Sequence, residues 1–217
     1  MCGRFNLTAT PKQVIETFQL HRLPRYEISY NIPPGQKILT VVELDDGRCK
    51  AVNLYWGLIP HWAKDRKISN HLINARAETL GEKASFKAAY RQRRCLIPVT
   101  GFYEWQKTEQ GKQAYCIRRK DCQLFAFAGL WEYWDHGAES IYSCTIVTIA
   151  ANKLMAPIHQ RMPVVIDKKD YGLWLNKQTT EETTQRLLSS NAYEGLVSNP
   201  ISDWVNNPYH NDKNCLN

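Results

Sequence analysis

No stretch of this 217-residue sequence approaches the roughly 20 consecutive apolar residues that a membrane span needs. The opening Met1-Cys2-Gly3-Arg4-Phe5-Asn6 places no apolar core behind a basic start, which predicts no secretory leader and a reducing, cytoplasmic setting (nucleoid-associated in a bacterial host). The seven cysteines are Cys2, Cys49, Cys95, Cys116, Cys122, Cys144 and Cys215; their number is odd and no two form a C-x-x-C pair. Cys116 and Cys122 have no histidine pair nearby, so the sequence asks for no zinc site, no other metal and no cofactor. Internal repeats, low-complexity tracts and Pro/Gly/Ser linkers are missing too. This favours one domain over residues 1–217, with a core of about 2–207 and a polar C-terminal tail.

What is present is ordinary globular composition, 43% hydrophobic and 23% charged, which excludes wholesale disorder. A chain this long buries roughly 70% of the surface its unfolded form exposes, enough for a core without staples. Lys plus Arg number 28 against 21 for Asp plus Glu, a net charge of +7. That excess suits a polyanion-binding face, and it also suits plain solubility.

Local patterns predict mostly short strands. Thr10-Pro11-Lys12-Gln13 predicts a helix start with a capping box, with Val14 and Phe18 on the apolar face. Asn31 to Gly35 reads as a rigid extended loop. Lys37 to Leu44 and Cys49 to Leu58 form a predicted hairpin about Asp45-Asp46-Gly47. Pro60 to Asn70 is a polar loop, and Glu82 to Arg91 a short helix with Phe86 and Tyr90 on one face. Strands are expected at Arg94–Val99, Phe102–Lys107, Gln113–Arg118, Gln123–Trp131, Ile141–Ala150 and Met162–Ile166. Short helices are expected at Asn152–Ala156, Lys169–Leu175 and Thr179–Ser189, the last with Thr179 and Glu182 as a capping box. The tail after Asn199 carries no expected element. Connections this short exclude a doubly wound parallel sheet. The expected fold is α+β, a mostly antiparallel, strongly curved, barrel-like sheet with peripheral helices.

Four positions could carry chemistry. Cys2 has a small side chain, so removal of Met1 would leave a chain beginning with cysteine. One residue would then offer an α-amine titrating at about 8 and a thiol at about 8.5. An amine attacks an aldehyde to give an imine, and a thiol on the adjacent carbon closes on that imine carbon as a five-membered thiazolidine. The plain alternative is an incidental residue at a frayed end. Asn74, in Asn74-Ala75-Arg76-Ala77-Glu78-Thr79, also reads as a helix cap with Glu78 in the first turn. Glu104, among the aromatics of Gly101-Phe102-Tyr103-Glu104-Trp105, is either a half-desolvated proton shuttle or the outward member of an alternating strand. His159, in Ile158-His159-Gln160-Arg161-Met162-Pro163, is available as acid, base or ligand, or is a surface histidine.

Taken in order, Cys2-Gly3-Arg4-Phe5, Asn31 to Gly35, Trp56-Gly57-Leu58-Ile59-Pro60, the Asn74 block, Arg94-Cys95-Leu96-Ile97-Pro98, the Glu104 block and His159-Gln160-Arg161-Met162-Pro163 resemble the SOS-response-associated peptidase (SRAP) family. Its members process abasic sites in single-stranded DNA. The resemblance runs from residue 2 to about Asn207, where Val205-Asn206-Asn207 looks like the family's closing segment. It implies Cys2 as nucleophile, with Asn74, Glu104 and His159 as catalytic partners, and Arg4, Arg76 and Arg161 on DNA phosphates. The implied partner is single-stranded DNA containing abasic sites, bound by a monomer away from any membrane. The His61–His71 loop and Gln113-Ala114-Tyr115 depart from the commoner family pattern. Two other functions compete: a thiol autopeptidase using Cys2 and His159, and a non-covalent single-strand binder that needs only the arginines.

Overall fold

A computed structural model describes residues 2–189 and 194–217. In chain order its strands and α-helices are β1 (Phe5–Leu7), α1 (Pro11–Phe18), β2 (Ser29–Ile32), β3 (Lys37–Glu43), β4 (Cys49–Trp56), β5 (Asn74–Arg76), α2 (Lys87–Gln92), β6 (Arg94–Val99), β7 (Gly101–Thr108), β8 (Gly111–Arg119), β9 (Phe125–Asp135), β10 (Ser140–Ala150), β11 (Arg161–Pro163), β12 (Val165–Ile166), α3 (Tyr171–Leu175), α4 (Glu181–Leu188) and β13 (Leu196–Ile201). Short 3₁₀ turns occupy Arg66–His71, Ala77–Thr79, Lys168–Asp170, Asp203–Asn206 and Lys213–Leu216.

Two sheets make the core. In the larger, the path β10-β4-β3-β6-β9 closes on itself because β9 also pairs with β10, giving a five-stranded barrel. The smaller runs β13-β8-β7-β1-β2. Pairing is antiparallel except where β10 runs parallel to β4 and to β5. The α+β, curved-sheet expectation therefore holds. Aromatic rings join the sheets: Phe5 of β1 lies 5.2 Å from Trp56 and 6.3 Å from Phe127, and Phe102 of β7 lies 5.5 Å from Phe127. All four rings are buried, so the strand leading from Cys2 is anchored in the main core.

Local chemistry explains several boundaries. The Thr10 hydroxyl accepts from the Gln13 amide while Gln13 Oε1 accepts from the Thr10 amide at 2.7 Å, completing the expected capping box. Gly57 ends β4 at φ +138°, and a Cβ there would meet the Ser69 carbonyl oxygen at 2.9 Å. Only glycine lets the chain turn there against the Arg66–His71 segment.

Other expectations need correction. Asn31 and Ile32 are not loop but the end of β2, paired with β1. Asn152–Ala156 forms turns and no helix; the Asn152 side chain caps the amides of Leu154 and Met155, and Pro157 prevents continuation. The cap of α4 is Thr180, whose hydroxyl accepts from the Thr183 amide, so Thr179 and Glu182 form no capping box. The expected Met162–Ile166 strand is split at Val164, with Pro163 pairing to β10 and Val165 to β9. The tail after Asn199 is not without structure: Pro200 and Ile201 end β13, which pairs along β8 from Leu196↔Arg119 to Ile201↔Ala114, and 3₁₀ turns follow at Asp203–Asn206 and Lys213–Leu216.

Candidate functional site

Cys2 sits where the two sheets meet. The β1–β7 ladder pairs Phe5 with Phe102, and the Tyr103 amide donates to the Arg4 carbonyl at 2.9 Å. Continuing that antiparallel register brings Glu104 alongside Gly3 and next to Cys2. From the barrel side, the Asn74 Nδ2 amide donates to the Cys2 carbonyl at 2.9 Å. Cys2 is buried at 0% exposure and Glu104 at 3%.

Asn74 is a strand residue, not a helix cap. It pairs with Ile146 of β10, and the 3₁₀ turn that follows is preceded by Arg76. Its Oδ1 is buried and has no hydrogen-bond partner among the described residues. Glu104 is likewise not the outward member of an alternating strand: Phe102, Tyr103 and Glu104 are all buried, because both faces of β7 are covered, Phe102 entering the main core and Tyr103 a second cluster with Cys116, Val205 and Cys215.

Burial holds the Glu104 carboxyl above the usual carboxylate range, against the opposing pull of His159. Burial also pushes the Cys2 thiol far up, and the Glu104 charge pushes it further. His159 is half-buried. Its Nδ1 lies 2.9 Å from the Arg161 amide nitrogen and 3.0 Å from the Arg161 carbonyl oxygen. Nδ1 accepts from that amide, which fixes the ring against the Arg161 backbone.

The three arginines differ. Arg76 is exposed. The Arg161 guanidinium forms a two-pronged pair with Glu78, at 2.7 and 2.9 Å, and also donates to the Thr148 carbonyl. That pairing holds the Glu78 carboxyl below its usual range. Arg4 is half-buried; its Nη1 donates to Asn31 Oδ1 at 2.8 Å and to the Val205 carbonyl at 2.9 Å, and the group lies 5.8 Å from the Trp105 ring centre.

Sequence reasoning missed the hub behind this. Asn31, 3% exposed, donates from Nδ2 to the carbonyls of Val205, Asn207 and His210. Trp105 Nε1 donates to Asn206 Oδ1 at 2.6 Å. The segment after β13 thus ties down the residues that flank Cys2 and Glu104. The Asn206-Asn207 pair was the available signal, but its contacts lie some 175 residues from Asn31 in the chain.

Among the described residues no group of three or more His, Cys, Asp or Glu is placed to hold a metal. No described helix is long and apolar enough to cross a membrane.

Fold and site together define a five-stranded barrel with a second sheet against it, and bring Cys2, Asn74 and Glu104 together at their junction, with His159 near enough to act on the Glu104 carboxyl. Residues 1–208 match the family model for the SOS response associated peptidase (SRAP), and the chain belongs to that family. It is 42% identical over 222 residues to the abasic site processing protein YoqW of Bacillus subtilis (strain 168), covering 100% of this chain and 99% of that one. It is 30% identical to the abasic site processing protein HMCES of Xenopus tropicalis, over 88% of this chain and 66% of that one. A solved structure from Bacteroides thetaiotaomicron superposes with a TM-score of 0.84 at 24% identity, covering 99% of this chain and 98% of that chain, which shows the shared fold.

Proposed function

We propose that this protein captures abasic sites in single-stranded DNA as a covalent thiazolidine through Cys2, after removal of Met1. Met1 itself lies outside the described residues. The observation that carries the reading is the enclosure of Cys2 by Asn74 and Glu104, with its carbonyl fixed by the Asn74 amide. The names of the relatives, which process abasic sites, agree with it.

An abasic deoxyribose is partly a ring-opened aldehyde. The Cys2 amine attacks the aldehyde carbon, forming a C–N bond and expelling the oxygen as water. The Cys2 sulfur then adds to the imine carbon, and the thiol proton passes to nitrogen. The net change is loss of one water. The amine is the first nucleophile because the carbon on which sulfur closes the five-membered ring is the imine carbon that the amine creates. While Met1 is in place, burial holds the Cys2 thiol up, which disfavours the autopeptidase alternative, since that needs a thiolate at the outset.

Glu104, with its carboxyl raised by burial, donates and accepts protons during ring opening and imine formation. His159 serves the sugar oxygen. Asn74 Nδ2 fixes the Cys2 backbone, and its unpartnered Oδ1 is positioned to accept from an amine or a sugar hydroxyl. Arg76 and Arg161 meet phosphates; a phosphate oxygen would replace Glu78 in the Arg161 fork. Arg4 is already committed to Asn31 and Val205, so its charge acts from beneath the strand as much as by contact. Closing the ring protects the strand, because an open imine leads on to β-elimination.

A denaturing gel tests this. Mixed with abasic single-stranded DNA, the wild type gives a band that survives boiling. Cys2→Ala gives none while retaining salt-sensitive binding, and Cys2→Ser gives a weaker, slower product. An undiminished band from Cys2→Ala would end the proposal.

A further inference from the structure

We propose that a cleft outside the Cys2 site, between β4 and the start of β10, binds the undamaged single strand that flanks the lesion. This takes single-stranded DNA as the ligand from the function proposed above, but it makes no use of the covalent chemistry.

β4 and β10 are hydrogen-bonded only at Tyr55↔Ser143 and Trp56↔Cys144, and then splay apart. The gap opens a cleft of about 760 Å³, floored by Asn53 and Tyr55 and walled by Arg66, Lys67 and Tyr142. A second cleft, of about 800 Å³, shares Asn53 and Tyr142 with the first, so Tyr142 borders both; there Glu43 and Asp45 are outnumbered by Lys50, Arg93, Arg94 and Lys177. Tyr142 is 54% exposed and Tyr133 is 37% exposed. Their ring centres are 4.6 Å apart, and Trp131 lies 6.2 Å from Tyr142. Three adjoining aromatics at the surface of a strand pair are more apolar ring area than isolated exposure explains.

Charge selects the occupant. Lys37 and Lys67 line the first cleft, and neither has an ion-pair partner among the described residues. Among the described residues Arg66 is held only by the exposed Glu139, at 2.8 Å, a weak surface pair that a phosphate can displace. Unpaired cations beside exposed aromatic rings match a polyanion that carries planar bases, held without sequence readout. Asn70 lines the cleft and Asn74 touches Cys2. Four residues of chain span at most roughly 14 Å, so a strand crossing the site reaches the cleft within a few nucleotides.

The experiment measures fluorescence anisotropy of undamaged oligonucleotides, one of five nucleotides and one of twenty, so that it reads binding even if no adduct ever forms. The wild type should bind the longer strand more tightly than its extra length alone gives. Tyr142→Ala should weaken the twenty-mer roughly tenfold, within the range for loss of one stacked base, and leave the five-mer unchanged. Tyr142→Phe, which keeps the ring, should restore it. Lys67→Gln should reduce the salt slope for the twenty-mer by about 0.7. Equal losses for both lengths, an unaffected twenty-mer, or full competition by a free mononucleotide would each overturn the proposal, as would tighter binding of an extended acidic peptide than of DNA at the same cleft.

Discussion

Replacing Asn31 isolates the tie between the C-terminal segment and the Cys2 strand. The side chain makes four hydrogen bonds: Nδ2 to Val205, Asn207 and His210 carbonyls at 3.2, 3.1 and 2.8 Å, and Oδ1 from Arg4 at 2.8 Å. In Asn31→Ala, each partner keeps a second contact: Val205 with Arg4, Asn207 with the His210 amide, His210 with the Cys215 thiol. The loss is therefore smaller than four orphaned groups. Nδ2 has two N–H groups to share among the three carbonyls, so the loss is that of about two neutral bonds at about 1 kcal/mol each and a charged one worth somewhat more, about 3 kcal/mol in all. For a chain of this size that lowers Tm by roughly 6–12 °C. Asn31→Asp is nearly isosteric and keeps the Arg4 contact, yet it turns an acceptor towards three carbonyl oxygens. It should be at least as damaging as alanine. Urea unfolding at unchanged slope measures both. If Asn31→Asp unfolds within about 0.5 kcal/mol of wild type, the donor role of Nδ2 is refuted.

Glu104→Gln should slow adduct formation about 10²-fold if the carboxyl is a true acid–base. Burial raises its folded-state pKa, so Glu104 contributes stability that is present below the unfolded value of about 4.3 and lost as pH rises through the folded one. The same variant should therefore be more stable than wild type near neutrality, which pH-dependent urea unfolding reads. His159→Ala should spare first-turnover trapping and alter reversal or strand cleavage, measured by challenge with excess unlabelled abasic DNA. Arg76→Ala should lower the magnitude of the log-affinity against log-salt slope by under one unit and weaken all sequences alike; an unchanged slope removes Arg76 from the phosphate site. Gly129→Ala should destabilise strongly, since a Cβ there would lie 2.8 Å from Cys95 Sγ and 2.9 Å from Ile97 Cδ1 inside the barrel.

Local rules located most elements because those elements are locally determined. Thr10 and Gln13 cap each other within one turn, and Asp45-Asp46-Gly47 closes its own hairpin. The errors fall where distant partners decide. Asn74 has the chemistry of a cap, but β10 draws it into a parallel ladder. β13 contains Pro200 and a polar run, and it is a strand only because β8 offers a free edge. Alternation in Phe102-Tyr103-Glu104 would send Glu104 outward in a one-sided sheet; here neighbouring segments cover both faces. The residues at the site were legible as motifs, whereas the bonds that hold them were not. Asn31 with Val205, and Arg161 with Glu78, join positions that no local pattern relates. Trp62 lies in the polar basic loop as an exposed ring, and nothing in its spacing signalled that.

The central claim is tested most directly by intact mass. Purified protein lacking Met1 is mixed with an excess of abasic single-stranded DNA and weighed without reduction of the product. The account predicts a species equal to protein plus DNA minus one water, stable to denaturation, with peptide mapping placing the link on Cys2. A protein mass unchanged by abasic DNA, or a link on any residue other than Cys2, would contradict it.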